Sequence, residues 1–254
     1  MRPLKSVSKG SLLCFLLTAP MLMSGTKSSI IATPSITKAV VAPTTAKVKS
    51  TKEIILDEAA SLYETMQLDR AGLNKKAFEL AWQGYKQLVQ NGRIRKTDVL
   101  SICDFSQSSR RKRLYIIDVE EQKILIQTFV AHGRNSGGEY AKNFSNKPES
   151  HMSSLGFYKT RSTYYGGHGL ALTVDGLEKG INDKANKRKI VIHGSNYVGS
   201  NFIKMNKFNG RSFGCPAVPA KDTKKVINTI KNGSCLFIYH PTKNYLTKST
   251  ILND

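Results

Sequence analysis

Acidic residues are scarce in this 254-residue chain: 18 Asp and Glu stand against 39 Lys and Arg, a formal charge of +21. None of the 18 precedes Glu53, whereas eight basic residues do, so the remainder carries 31 basic and 18 acidic groups, or +13. Such an excess predicts attraction to polyanions, whether nucleic acid, anionic lipid or an anionic wall polymer. Cysteine is also sparse, at four, which at this length excludes a disulfide-stapled miniprotein. No Cys-x-x-Cys pair and no His-Glu-x-x-His helix is present to preorganise zinc, so neither metal nor cofactor is expected. No internal repeat is visible.

Long apolar runs are missing too. The first one, Leu12 to Met23, is broken by Pro20 and falls short of the roughly twenty residues that a stable membrane span needs. Arg2, Lys5 and Lys9 precede it and Ser24-Gly25 follow, the layout of a secretory signal peptide over residues 1–25. Residues 26–52 are mostly Thr, Ser, Ala, Val, Pro and Lys without period, and read as a basic flexible linker. The expectation is export to the periplasm or cell envelope, with no stable membrane span after signal cleavage. Loss of Cys14 with the signal leaves three thiols, so at least one stays unpaired within the chain. Cys103 and Cys235, each in an apolar stretch, read as small buried hydrophobes, with a mutual disulfide as the alternative.

The chain as a whole has ordinary globular composition, 40% apolar with 8% aromatic. Ile55, Ala59, Leu62, Tyr63 and Met66 suit one helical face; Asn74 caps a second helix whose apolar positions run from Ala77 to Val89 and which Asn91-Gly92 stops. Together they define an N-terminal helical subdomain over 53–96. Strands are expected at 99–105, 114–119, 123–130, 170–174, 190–193 and 234–239, with one helix at 222–231, giving a strand-dominated domain over 97–245.

Two segments stand apart from this scaffold. Ile190-Val191-Ile192-His193-Gly194-Ser195 delivers an imidazole at the end of an apolar strand. Gly210-Arg211-Ser212-Phe213-Gly214-Cys215-Pro216-Ala217 places a thiol between glycine and proline, a turn able to present sulfur beside converging amide hydrogens. That is what an acyl-transfer nucleophile and its oxyanion hole require. On residues alone, a buried cysteine and a core histidine explain the pair as well.

The combination of His193-Gly194 with Ser212-Phe213-Gly214-Cys215 resembles the L,D-transpeptidase (YkuD-type) catalytic domain, and Arg211 to Val218 is similar to the RS-aromatic-GCPAV motif of its murein L,D-transpeptidase branch. His132-Gly133-Arg134-Asn135-Ser136-Gly137, Ser153 to Tyr158 and Tyr165-Gly166-Gly167-His168-Gly169 extend the resemblance over about residues 97 to 240. It departs from commoner members at Phe213, where many have histidine, and at Pro216-Ala217.

This resemblance implies a mainly β (α+β) fold, an L,D-transpeptidase-like β-sandwich or barrel with a small helical N-terminal part. It implies a cysteine acyl transfer on peptidoglycan stem peptides. Cys215 would attack the bond between a diamino acid and D-alanine, His193 would carry the proton, and the amides near Gly214 and Cys215 would hold the oxyanion. Transfer to an amine gives a transpeptidase, and transfer to water an L,D-carboxypeptidase. Arg211, Ser212, His168, His132 and Tyr165 are the implied substrate contacts, and Tyr164 and Tyr197 are further candidates for the cleft wall. The basic segments Arg110 to Arg113 and Lys184 to Lys189 lack interleaved aromatics and are expected to be solvated loops drawn to anionic envelope polymers rather than to nucleic acid. Two rivals stand against this reading. An NlpC-type cysteine peptidase places its cysteine before its histidine, the reverse of the order here; a non-enzymatic wall-binding protein has no need of a thiol.

Overall fold

A computed structural model describes residues 49–253 except His168. The expected signal peptide, nearly all of the linker, and His168 therefore lie outside the described residues. Helix α1 (Thr51–Thr65) starts at a capping box in which the Ser50 hydroxyl accepts the Glu53 amide while the Glu53 carboxylate accepts the Ser50 amide. Helix α2 (Lys75–Gln90) starts at Asn74, whose side chain accepts the Ala77 amide. Its inner face buries Phe78, Ala81, Trp82, Tyr85 and Leu88. Gly84 lets the helix lie against the sheet, because a Cβ there would stand 2.1 Å from the Phe157 ring.

Eight strands form one mixed sheet: β1 (Val99–Asp104), β2 (Leu114–Asp118), β3 (Lys123–Thr128), β4 (Gly156–Gly166), β5 (Gly169–Gly176), β6 (Val191–Ser195), β7 (Ala217–Pro219) and β8 (Cys235–Tyr239). Their order across the sheet is β3-β2-β1-β8-β4-β5-β6-β7. Only β1 with β8 and β6 with β7 run parallel; the other neighbours are antiparallel. The chain leaving β3 bridges at Ala131 to Ala217 of β7, so the two outer edges of the sheet meet at one end. Sheet curvature thus approaches barrel closure, in line with the expected α+β class.

Strand β4, the three-residue β7, helix α3 (Ser200–Asn206) and the two helices after β8 escaped the sequence pattern. The chain ends in α5 (Lys243–Lys248) and α6 (Thr250–Asn253), after the expected helix α4 (Thr223–Ile230) and β8. Buried Glu178 anchors this tail, accepting from the Tyr245 and Ser249 hydroxyls as well as from the Phe157 amide. One core unites helices and sheet, with Phe157 stacked on Phe237 at 4.2 Å between centroids. Full burial of such a ring contributes about 1.5–3 kcal/mol.

Cys103 and Cys235 are buried free thiols. In the parallel β1/β8 ladder Cys235 lies opposite Leu100 and Cys103 opposite Ile238. Three register steps of about 3.3 Å hold them beyond disulfide reach, so the buried-hydrophobe reading stands and the mutual disulfide does not. Among the described residues no helix is long and apolar enough to cross a membrane.

Candidate active site

Strand β6 carries His193 into register with Ala171 of β5 on one side and Ala217 of β7 on the other. Cys215 precedes Ala217 by two residues, which in a parallel ladder sets it alongside Val191. The Val191 amide indeed donates to Cys215 Sγ at 3.4 Å, and the thiol points its hydrogen at the Lys189 carbonyl, 3.8 Å away. Neighbouring strands thus bring the sequence-predicted thiol and imidazole to one end of the β6/β7 pair. His193 is 4% exposed and its Nδ1 lies 3.0 Å from the Gly194 carbonyl. A carbonyl only accepts, so Nδ1 holds the proton and Nε2 is the basic position.

Burial raises the Cys215 pKa above the ordinary thiol value, opposed by the Val191 amide and by the Arg188 charge. Burial thus favours the neutral thiol over the thiolate. Arg188 was expected in a solvated basic loop; the fold instead half-buries it behind the turn, where its guanidinium donates to the carbonyls of Ser145 and Met152 and to the Ser154 hydroxyl.

The turn itself is knotted by Ser212. Its hydroxyl accepts the Gly214 amide at 3.0 Å and donates to the Cys215 carbonyl at 2.6 Å, and the residue is 5% exposed. Two sequence expectations are corrected here. Ser212 faces inward and positions the turn instead of touching substrate. The Gly214 amide, expected to hold an oxyanion, is already engaged by that hydroxyl, which leaves the Cys215 amide, with no partner among the described residues, as the donor at the turn. Gly214 has φ +122°, and a Cβ there would stand 2.8 Å from the Met152 carbonyl oxygen, so both backbone conformation and space demand glycine.

Behind the turn runs the segment Ala131 to Arg134. It exchanges amides with the turn through Ala131 and Ala217, Ser212 and His132, and Arg134 and Ser212. Ser153 ties both layers, accepting from the Gly133 amide and donating to the Gly214 carbonyl. His132, expected as a substrate contact, is 1% exposed and sits in this supporting layer. Arg113 donates to its Nδ1 at 2.7 Å and to the Val130 and Gln107 carbonyls. Burial and the neighbouring guanidinium depress the His132 pKa to about 3, so the ring is neutral. Arg113 is fully buried, correcting its expected place in a solvated basic loop. Sequence reading missed Arg113, Arg188 and Ser153 as site supports, and Arg113, last of the four basic residues 110–113, carries no local signal that sets it apart.

Concave space lies beside the end of β6 and beside the turn. A cleft of about 960 Å³ has Tyr165, Gly194, Ser195, Tyr197 and Lys224 among its walls, but neither Cys215 nor His193. It begins one residue beyond the imidazole. Tyr165, at 83% exposure, and half-buried Tyr197 are among its walls, whereas Tyr164 is not. A second cavity of about 440 Å³ is lined by Arg211 and Phe213 of the turn itself. No group of three or more His, Cys, Asp or Glu side chains suited to a metal ion occurs among the described residues.

A family model described as the L,D-transpeptidase catalytic domain matches residues 69–239. Among curated proteins none matches the chain by sequence. Solved structures similar to it include an L,D-transpeptidase from Mycobacterium smegmatis, at 9% identity and TM-score 0.35 over 56% of this chain and 59% of that one. An L,D-transpeptidase from Stackebrandtia nassauensis matches at 14% identity and TM-score 0.34, covering 74% and 79%. Bd1075 from Bdellovibrio bacteriovorus matches at 18% identity and TM-score 0.35, covering 56% and 48%. The chain spans less than two thirds of the length of the first and third of these proteins.

Proposed function

The chain belongs to the L,D-transpeptidase catalytic domain family, and from that premise we propose that it is a peptidoglycan-modifying cysteine acyl transferase working in the cell envelope. The observation that carries the reading is the register of β6 and β7, which pairs His193 with Ala217, two residues after Cys215, while the Cys215 sulfur accepts the Val191 amide of β6 and the His193 Nδ1 proton is committed to the Gly194 carbonyl.

The chemistry follows from those positions. Because the thiol rests protonated, its deprotonation accompanies attack: His193 Nε2 takes the proton as sulfur adds to the carbonyl between the diamino acid and D-alanine of a tetrapeptide stem. The oxyanion is met by the Cys215 amide, a donor of a kind worth on the order of 3 kcal/mol. Collapse breaks the carbon–nitrogen bond, the imidazolium returns its proton to the departing amine, and D-alanine leaves a Cys215 thioester. An amine, deprotonated by the same imidazole, then displaces sulfur and forms the new amide. Water in its place gives a carboxypeptidase. Export rests on the N-terminal basic-then-apolar pattern, and the basic surface suits an anionic envelope.

Incubation of the purified protein with disaccharide-tetrapeptide tests the reading. Expected are release of D-alanine, a thioester mass on Cys215 and cross-linked or exchanged muropeptides, all abolished in Cys215→Ala. Undiminished release by that variant would refute the mechanism.

A further inference from the structure

The cavity on the Arg211 side of the nucleophile turn has a composition that a merely apolar substrate channel does not need. Its lining includes the guanidinium groups of Arg134 and Arg211, the rings of Phe202, Phe208 and Phe213, and Asn209. No carboxylate contributes to it, and among the described residues neither arginine has an ion-pair partner.

Both guanidinium groups are nonetheless held in place. Arg211 Nη1 donates to the carbonyls of Gly137 at 3.2 Å and Arg134 at 3.4 Å, leaving its other donors for a ligand. Arg134 lies over the Phe213 ring at 5.6 Å, and a second neighbour of that ring is the His151 imidazole at 4.7 Å between centroids. Phe213 is 64% exposed; an aromatic residue kept at the surface beside a cation and an imidazole orients the cation more than it stabilises the core. The floor is built as firmly. Asn209 is fully buried, accepting the Gly199 amide at 2.7 Å and donating to the Ser109 carbonyl at 2.5 Å. Gly210 leaves room for Tyr197, whose side chain a Cβ would approach to 2.6 Å. An anion entering this cavity meets two guanidinium-bearing residues and no carboxylate, and a planar guanidinium matches a carboxylate with paired hydrogen bonds.

Phe213 is two residues from Cys215. Resting on the acyl-transfer reading above, we propose that this cavity is a carboxylate-recognition subsite for the donor stem peptide, with Arg134 and Arg211 as its binding residues and Phe213 as the residue that positions Arg134. The ligand carboxylate is either the terminal one of the departing D-alanine or one borne by an interior stem residue; both present the same planar anion.

Binding is measured by calorimetry on the full chain carrying Cys215→Ala, with disaccharide-tetrapeptide, its C-terminal carboxamide and a stem amidated at the interior carboxylates. Adding Arg134→Gln and Arg211→Gln together is expected to weaken the acidic peptide by about tenfold or more, as loss of charge-assisted bonds does. The arginine-dependent part vanishes for whichever amidated peptide lacks the recognised carboxylate, which identifies it. Arg211→Lys, which keeps charge without the fork, should recover only part of the loss. Thermal melting checks that each variant is folded. Binding of the acidic peptide within about twofold of the parent by the folded double variant overturns the subsite. Failure of wild-type protein to release D-alanine, by contrast, overturns the acyl-transfer reading and leaves the binding comparison to be judged by itself.

Discussion

Arg113 Nη2 donates to His132 Nδ1 at 2.7 Å deep beneath the nucleophile turn, both side chains being at most 1% exposed. A buried arginine supplies only donors, so its histidine partner must be the neutral acceptor. The supporting layer of the site is therefore sensitive to acid.

The direction of that sensitivity is fixed by the depressed pKa. With His132 at about 3 in the fold and about 6.5 when unfolded, the unfolded chain binds more protons between those values. The contribution is fully present above about pH 6.5 and is lost as pH falls toward 3, with a slope of up to about 1.4 kcal/mol per pH unit. Urea unfolding across that range should show it, and His132→Gln should flatten the profile. An unchanged slope in that variant would place the acid sensitivity elsewhere.

Cys215 should behave as a neutral thiol at rest. Burial raises its pKa while Arg188 lowers it, so alkylation by iodoacetamide should rise with pH through a midpoint above the free-thiol value of about 8.5. Arg188→Gln should move the midpoint higher still. A rate already at plateau at neutral pH would mean a preformed thiolate–imidazolium pair.

Ser212→Ala removes the hydroxyl that accepts the Gly214 amide and donates to the Cys215 carbonyl. Two groups at the turn lose partners, each costing about 1–3 kcal/mol if it stays dry. Because the defect is in placing sulfur, kcat for D-alanine release should fall while KM changes little, and Ser212→Thr should restore much of the rate. A KM effect alone would make Ser212 a substrate contact after all.

Gly214→Ala forces a side chain into φ +122° and toward the Met152 carbonyl. Backbone strain of this kind costs about 1–3 kcal/mol. Thermal melting should show the loss, and thioester formation at Cys215 should fall with it. Wild-type stability and acylation together would contradict the geometry.

Legibility varied by element for identifiable reasons. Caps at Asn74 and the periods of α2 and α4 are local, and they fixed those helices. Strand β4 was invisible because its outer half is exposed and polar, interrupted by a register shift between Thr160 and Thr163. Strand β7 spans three residues, too few for any period. Arg113 and Arg188 read as surface charge because only tertiary packing supplies the carbonyls that let a guanidinium be buried.

Residue types and spacing alone marked the Gly214-Cys215-Pro216 turn and a histidine on a separate strand, since glycine before a thiol and proline after it restrict the backbone wherever they occur, and the resemblance of several ordered motifs pointed to the family. Which polar groups face substrate and which hold the turn was decided only by the fold. Ser212 and His132 are the cases in point: a hydroxyl and an imidazole carry the same potential in sequence, and only the partners packed around them, the Gly214 amide and the Arg113 guanidinium, determine that their hydrogen bonds are spent inside the protein.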